Sequence, residues 1–293
     1  MVARFDHAVI AVNDLDEAIR RYQALGFVVS PGAHHPAMGT RNALIHFGLH
    51  YIELLSIYDE MLAEASGSSG HVLLNFLRKR NGGLLGYALA TTDIRQEEAR
   101  LRSIGFLGDR AFAMQCMCQD GHVLAWRLLV PGNVAWRRPW PCLIQWEAPG
   151  EQAKSGGHEN GVIGCAGIEL MTRNLEQTID FYQCALGLEV GSRGEVASLA
   201  ARRASFYLST AEIDVLAPTG GSPVERMLDD TGEGPFEITL AVKNLDRTCA
   251  YFAQKGIALI PHEADPLRML LPTRCTCGAR LVLVESAARL DLV

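Results

Sequence analysis

Two residues of this chain have side chains whose chemistry asks for an explanation. His7 stands in the apolar run "FDHAVIAV", residues 5–12, and Glu53 in "YIELLSI", residues 51–57. An imidazole with an ordinary pKa of about 6.5 exchanges protons near neutrality, which suits a general base or a metal ligand. The bland alternative for His7 is a hydrogen-bonded core histidine. A carboxylate in a strand meant for burial is costly unless it is paired, hydrogen-bonded or bound to a cation. His7 and Glu53 are therefore the candidate catalytic pair. Strand alternation puts Tyr51, Glu53 and Leu55 on one face. The loop "SPGAHHPAMGT", residues 30–40, adds His35, and Arg41 and Asn42 follow it. Asn42 can recognise a carbonyl or amide, or can simply hold the loop. Trp126 offers an apolar wall and Arg127 an anion contact, but alternation lets only one of the two face inward. His35, Arg41, Asn42, Trp126 and Arg127 are the candidate ligand-binding residues.

Composition narrows the partners. The chain has 293 residues, 27 basic and 33 acidic, with a formal net charge of −6. Nothing in that balance draws it to nucleic acid or to an anionic membrane surface. The basic-aromatic stretch "AWRRPWPCLIQW" is too short to change this, and its tryptophans read as covering cup edges or a domain junction. No uninterrupted apolar stretch is long enough to span a bilayer, and the N-terminal run meets acidic residues at once. A cytoplasmic protein is the expectation. Cys116 with Cys118 and Cys275 with Cys277 are C-x-C pairs, which on a strand would share a face; plain thiols in or near strands are the simpler reading. There is no Walker A motif, G-x-S-x-G or H-E-x-x-H.

The elements that must position these residues come as a repeat. Four segments share one pattern, at residues 5–29, 85–108, 165–190 and 236–260. Each starts with a β-prone run and continues into a capping Asp14, Asp93, Asn174 or Asn244. A helical pattern follows, closed by Gly26, Gly105, Gly187 or Gly256. Further strand-like runs come after each helix, so each unit reads β-α-β-β-β. The expected fold class is α+β, with four such modules paired into two cup-like domains. The first domain spans 1–147, from modules 1–63 and 82–147, with "EASGSSGH" (64–71) a flexible join between them. A linker covers 148–161. The second domain spans 162–293, from modules 162–217 and 234–293.

Paired β-α-β-β-β units resemble the vicinal oxygen chelate superfamily, which includes glyoxalase I, extradiol dioxygenases and bleomycin-binding proteins. "PGAHHPAMGTRNALIHFGLHYIELLSI" resembles, more narrowly, the glyoxalase-like domain of bacterial proteins. The resemblance implies metal ligands on the first and last strands of each unit. On this chain the first-strand positions are His7, Gly86, Gly167 and Glu237, and the last-strand positions Glu53, Gln145, Asp214 and Leu283. His7, Glu53 and Gln145 are thus the implied ligands of a divalent cation (Zn, Ni, Mn or Fe), an incomplete set. Extradiol cleavage is disfavoured, because Gly167, Glu237 and Leu283 stand where two histidines and a glutamate are needed.

Two kinds of function stay open. One is a metal-dependent lyase or isomerase acting on a small oxygenated molecule. The other is a metal-free cup that binds or sequesters a small molecule. A further reading gives the second domain a mainly structural or dimer-forming role, so that only the first cup acts.

Overall fold

The computed structural model describes residues 2–106, 110–117, 123–148, 150 and 157–286. Its first sheet contains β1 (Val2–Ala11), β2 (Ser30–His35), β3 (Thr40–Phe47), β4 (His50–Ile57), β5 (Gly83–Thr91), β6 (Phe112–Met117), β7 (Val123–Leu129) and β8 (Cys142–Trp146). The second contains β9 (Val162–Met171), β10 (Val190–Val196), β11 (Ala201–Tyr207), β12 (Glu212–Pro218), β13 (Gly234–Val242), β14 (Ile260–Pro261), β15 (Met269–Leu270) and β16 (Leu281–Glu285). The eight strands run in the order β2-β3-β4-β1-β5-β8-β7-β6, and the second sheet repeats that order from β10 to β14. Each sheet thus joins two units through their first strands, β1 with β5 and β9 with β13, and curls into a cup.

The unit helices follow as the caps require. They are α1 (Leu15–Ala24), α4 (Ile94–Ser103), α5 (Leu175–Asp180) and α7 (Leu245–Gln254). The side chains of Asp14, Asp93, Asn174 and Asn244 accept from first-turn N–H groups, which are otherwise orphaned at a helix start. Gly26, Gly105, Gly187 and Gly256 close the helices with φ between +67° and +84°. One unit departs from the others. Thirteen positions separate Asn174 from Gly187, against twelve in the other three units. The extra residue is absorbed by a π-helical turn, Phe181–Ala185.

The remaining helices are α2 (Glu60–Ala65), α3 (Ser68–Lys79) and α6 (Pro223–Thr231). The segment expected to be a flexible join is instead the end of α2 and the first turn of α3. Its Gly70 lets the two helices touch: a Cβ there would stand 1.8 Å from the Ala63 carbonyl oxygen. The C-x-C reading of Cys275 and Cys277 also fails, since both lie in a turn before β16 and not on a strand face. Cys118 and half of the expected linker lie outside the described residues.

One face of each sheet packs on the helices and the other lines its cup. Phe5, Ile10, Ile52 and Leu54 of the first sheet join Ile168, Leu170, Ile213 and Leu281 of the second in one buried cluster with Tyr22, Tyr182 and Phe252 of the helices. The core is therefore shared between the two sheets. Tyr22 donates to the Thr276 carbonyl at 3.1 Å, and buried Tyr87 and Tyr182 hydrogen-bond each other. His158 fastens the start of the second half. Its Nδ1 accepts from Val28 N–H at 3.0 Å, so Nε2–H must donate to the His46 carbonyl, at 3.1 Å.

Candidate functional site

The first cup encloses a chamber of about 970 Å³, at the upper end of small-molecule pockets. His7, Glu53, Asn42, His35 and Trp126 all line it. β1 and β4 run parallel, with His7 beside Tyr51 and Val9 beside Glu53. Tyr51, Glu53 and Leu55 face the chamber, as alternation requires, while Ile52 and Leu54 pack toward the helices. The Tyr51 ring stacks on His7 with centroids 4.5 Å apart.

His7 has a partner that sequence reasoning missed. A register shift in β1 between Phe5 and His7 lets buried Asp6 reach its neighbour. His7 Nδ1 lies 2.8 Å from Asp6 Oδ1, and the other carboxylate oxygen takes Arg4 at 2.9 Å and the Trp146 indole N–H at 3.0 Å. Burial alone would raise the Asp6 carboxyl. The His7 hydrogen bond, the charges of His7 and Arg4 and the indole N–H together outweigh it and hold the group below its ordinary value. Ionised Asp6 can only accept, so Nδ1 carries the proton and Nε2 is left to face the chamber. The signal for this was "FDHAV" itself, an acid beside the histidine in a strand, where adjacent side chains ordinarily point apart.

Glu53 is oriented in the same manner. Asn42 donates to Glu53 Oε1 at 2.6 Å, and its own carbonyl accepts from Ala33 N–H at 2.6 Å. Asn42 therefore both holds the loop and aims the carboxylate. Gly32 is needed beside it, since a Cβ there would lie 1.9 Å from Asn42 Oδ1. Glu53 Oε2 and His7 Nε2 end 3.8 Å apart, too far for a hydrogen bond between them. In its neutral form the His7 imidazole offers Nε2 as an acceptor, and two acceptors then converge on one point of the chamber. His35 Nδ1 lies 3.1 Å from Thr40 Oγ1, and both residues line the chamber. Burial lowers the His35 pKa, with His34 adding to the shift and the Glu53 charge opposing it.

Three sequence-based candidates are not brought into this group. Gln145 is a correction. Its Oε1 accepts from Ile94 N–H at 2.9 Å and its Nε2 donates to the Thr92 carbonyl, so it caps α4 from the helix face of the sheet. Glu285 makes the same contact to Leu245 N–H in the fourth unit. The strand pairing shows the cause. Cys142 and Val282 pair with Ala88 and Thr239 as Glu53 pairs with Val9, so the cup positions are Cys142 and Val282, not Gln145 and Leu283. Asp214, beside Glu169, does match Glu53. Arg41 points outward to Asp16 at 3.0 Å. Arg127 pairs with Gln145 on the face opposite Trp126. Trp126 meets Trp146 on the chamber wall, ring centroids 5.3 Å apart.

The residues present fit a divalent centre of the expected kind poorly. His7 Nε2 and Glu53 Oε2 converge, but the other two positions of the first cup are Gly86 and Cys142. Trp136 covers Gly86, where a Cβ would meet the indole at 2.6 Å. Burial pushes the Cys142 thiol up to about 12, with the Glu53 charge adding to the shift. No three His, Cys, Asp or Glu side chains among the described residues are grouped to hold a metal ion.

In the second cup the charged side chains pair with one another. Arg268 reaches in to Glu169 at 3.1 Å and Glu237 at 3.2 Å, and Arg280 and His262 each lie 3.1 Å from Glu237. Burial first, and then the nearby Glu237 charge, raise Glu169 to about 7.

Residues 5–183 match the family described as "Glyoxalase-like domain", and residues 167–268 match the "Glyoxalase/Bleomycin resistance protein/Dioxygenase superfamily". None of the curated proteins matches. A hypothetical protein from Staphylococcus aureus superposes with TM-score 0.66 at 15% identity, covering 96% of this chain and 99% of that one. A mutant of 4-hydroxymandelate synthase from Streptomyces coelicolor gives 0.63 at 12% identity, covering 97% and 92%. Methylmalonyl-CoA epimerase from Mycobacterium tuberculosis gives 0.40 at 23% identity, over 44% of this chain and 92% of that one. At these identities the two likenesses that run over the whole chain show the fold alone. The match over residues 5–183 takes in both units of the first cup and the opening strand and helix of the third, and by it this chain belongs to the glyoxalase-like domain family.

Proposed function

We propose that the first cup binds a small, largely apolar molecule through a donor group placed between His7 and Glu53, without a divalent metal. The observation that carries this is the convergence of two oriented acceptors on the wall of a large apolar chamber, in a cup whose other two ligand positions are Gly86 and Cys142. Trp126, Trp136 and Trp146 line the chamber, so their fluorescence reports its occupancy. After dialysis against chelator and a check of metal content, titration with the uncharged dye Nile red should quench tryptophan emission saturably. Stoichiometric metal that survives chelation and disappears in Glu53→Gln would sink the metal-free reading. Absence of saturable binding would sink the chamber itself.

A second reading is favoured by the Asp6–His7 pair. A buried carboxylate that fixes the imidazole tautomer leaves Nε2 as a base aimed at bound ligand. Glu53 would then receive or return the proton, giving lyase or isomerase chemistry at an acidic C–H or hydroxyl. Chelator-treated protein in D₂O should exchange the α-protons of 2-hydroxyacetophenone faster than buffer does. His7→Asn should remove roughly 10²-fold or more of that rate. Exchange unchanged in His7→Asn would discard this reading while leaving binding intact.

A further inference from the structure

The charges around the first chamber indicate what kind of molecule it takes, granted the reading of that chamber as a binding site. Among the described residues that line it there is no lysine and no arginine, and Glu53 is its one carboxylate. Arg41 is turned outward to Asp16, and Arg4 is occupied by Asp6 and by the Phe5 and Leu49 carbonyls. The Glu53 side chain is only 12% exposed, and the contacts it has are Asn42 and, at 3.8 Å, His7. A buried carboxylate calls for an opposite charge. The second cup of the same chain supplies one from within, since Glu169 and Glu237 hold Arg268 and Arg280. The first cup has no such arginine among the described residues that line it. The chamber that Glu53 lines is also lined by the aromatic rings of Tyr51, Trp126, Trp136, Trp146 and Phe112, and aromatic faces attract cations as well as apolar groups.

We infer that the first chamber takes an amphipathic amine in its ammonium form, with nitrogen between Glu53 Oε2 and His7 Nε2 and the apolar body against the tryptophans. Each acceptor then receives one N–H donor, and the aromatic wall covers the remaining charge. A carboxylate, sulfonate or phosphate on the ligand meets Glu53 with like charge and finds no lysine or arginine among the described lining residues. The chamber selects by sign of charge as well as by size.

Three probes with one ring system test this. They are 2-naphthylmethylamine, 2-naphthylmethanol and 2-naphthoate, each titrated by calorimetry into the chelated protein at pH 7. The amine should bind at least tenfold tighter than the alcohol, and the naphthoate should not bind measurably. Glu53→Gln keeps an acceptor for Asn42 and removes the charge. In it the amine should lose at least tenfold in affinity while the alcohol changes less than threefold. Naphthoate binding as tight as the amine, or an amine preference that survives in Glu53→Gln, would overturn the proposal. If Nile red binds and none of the three naphthyl probes does, the amine assignment falls and the chamber reading stands. If Nile red fails as well, both fall.

Discussion

Asp6 is the residue on which the geometry of the first cup turns. It sets the His7 tautomer, anchors the Trp146 indole and neutralises Arg4 in one buried position. Removing one partner from such a group strands the others, so Asp6→Asn should destabilise the fold by about 3–5 kcal/mol, read by urea denaturation at pH 7. Its carboxyl is held below the ordinary value in the folded state, so the unfolded chain takes up the proton first. The stability it contributes is full above about pH 4 and is lost as pH falls through the lower folded value. Glu169 has the opposite sign. Burial and Glu237 raise its pKa from 4.5 to about 7, so the folded state favours the protonated form. Its contribution is fully present below about pH 4.5 and disappears as pH rises through about 7. Glu169→Gln should therefore stabilise the protein at pH 8, by a few kcal/mol at most, and flatten the alkaline side of the Tm–pH curve. A variant Tm unchanged at pH 8 would refute that. His7 and Glu53 were legible as a pair because each is a polar anomaly in an apolar strand. Asp6 was not, because strict alternation sends it to the other face and the irregularity in β1 appears only in three dimensions.

The strands and unit helices were legible from their punctuation. Asp14, Asp93, Asn174 and Asn244 mark the helix starts, and the closing glycines mark the ends. Register within a strand was not. "PCLIQW" offers a glutamine in a plausible place, and only its pairing with β5 shows that Cys142 faces the cup and Gln145 the helix. Gln145→Ala should consequently leave ligand affinity unchanged. It should cost about 1 kcal/mol through the lost cap on α4, measured by thermal unfolding alongside binding. A similar argument applies where β5 meets the loop before β8. Gly86→Ala would place a methyl within contact distance of the Trp136 ring. Pushing that ring into the chamber should cost about 1–3 kcal/mol and weaken Nile red binding. The α2–α3 corner escaped a reading built on small residues, because "SGSSG" looks like a linker. There, Gly70 serves close helix packing instead of chain freedom.

At the scale of the whole molecule, the shared core makes the two sheets one folding unit. Arg137 reinforces it. All of its N–H donors are used, on the Leu84 and Pro235 carbonyls and on the Thr231 and Gly232 end of α6. Scanning calorimetry should show one cooperative transition. Arg137→Met should lower its midpoint while keeping it single, because the carbonyls left behind lose buried donors. Two separate transitions would contradict the common core. The sequence repeat announced two cups, but not that both would turn their helices toward one another, since the apolar stripe of a helix does not say which sheet it meets. Nor did it announce the wide turn in the third unit. An extra residue in a regular helix would swing every later side chain round by about 100°. The π turn confines that change to Phe181–Ala185, and within it consecutive residues Phe181 and Tyr182 are both buried, one against Trp140 and Phe106 and the other hydrogen-bonded to Tyr87. A change of length between the copies has thus become a fastening: the copy that is out of step with its siblings reaches across to the first domain with two adjacent rings.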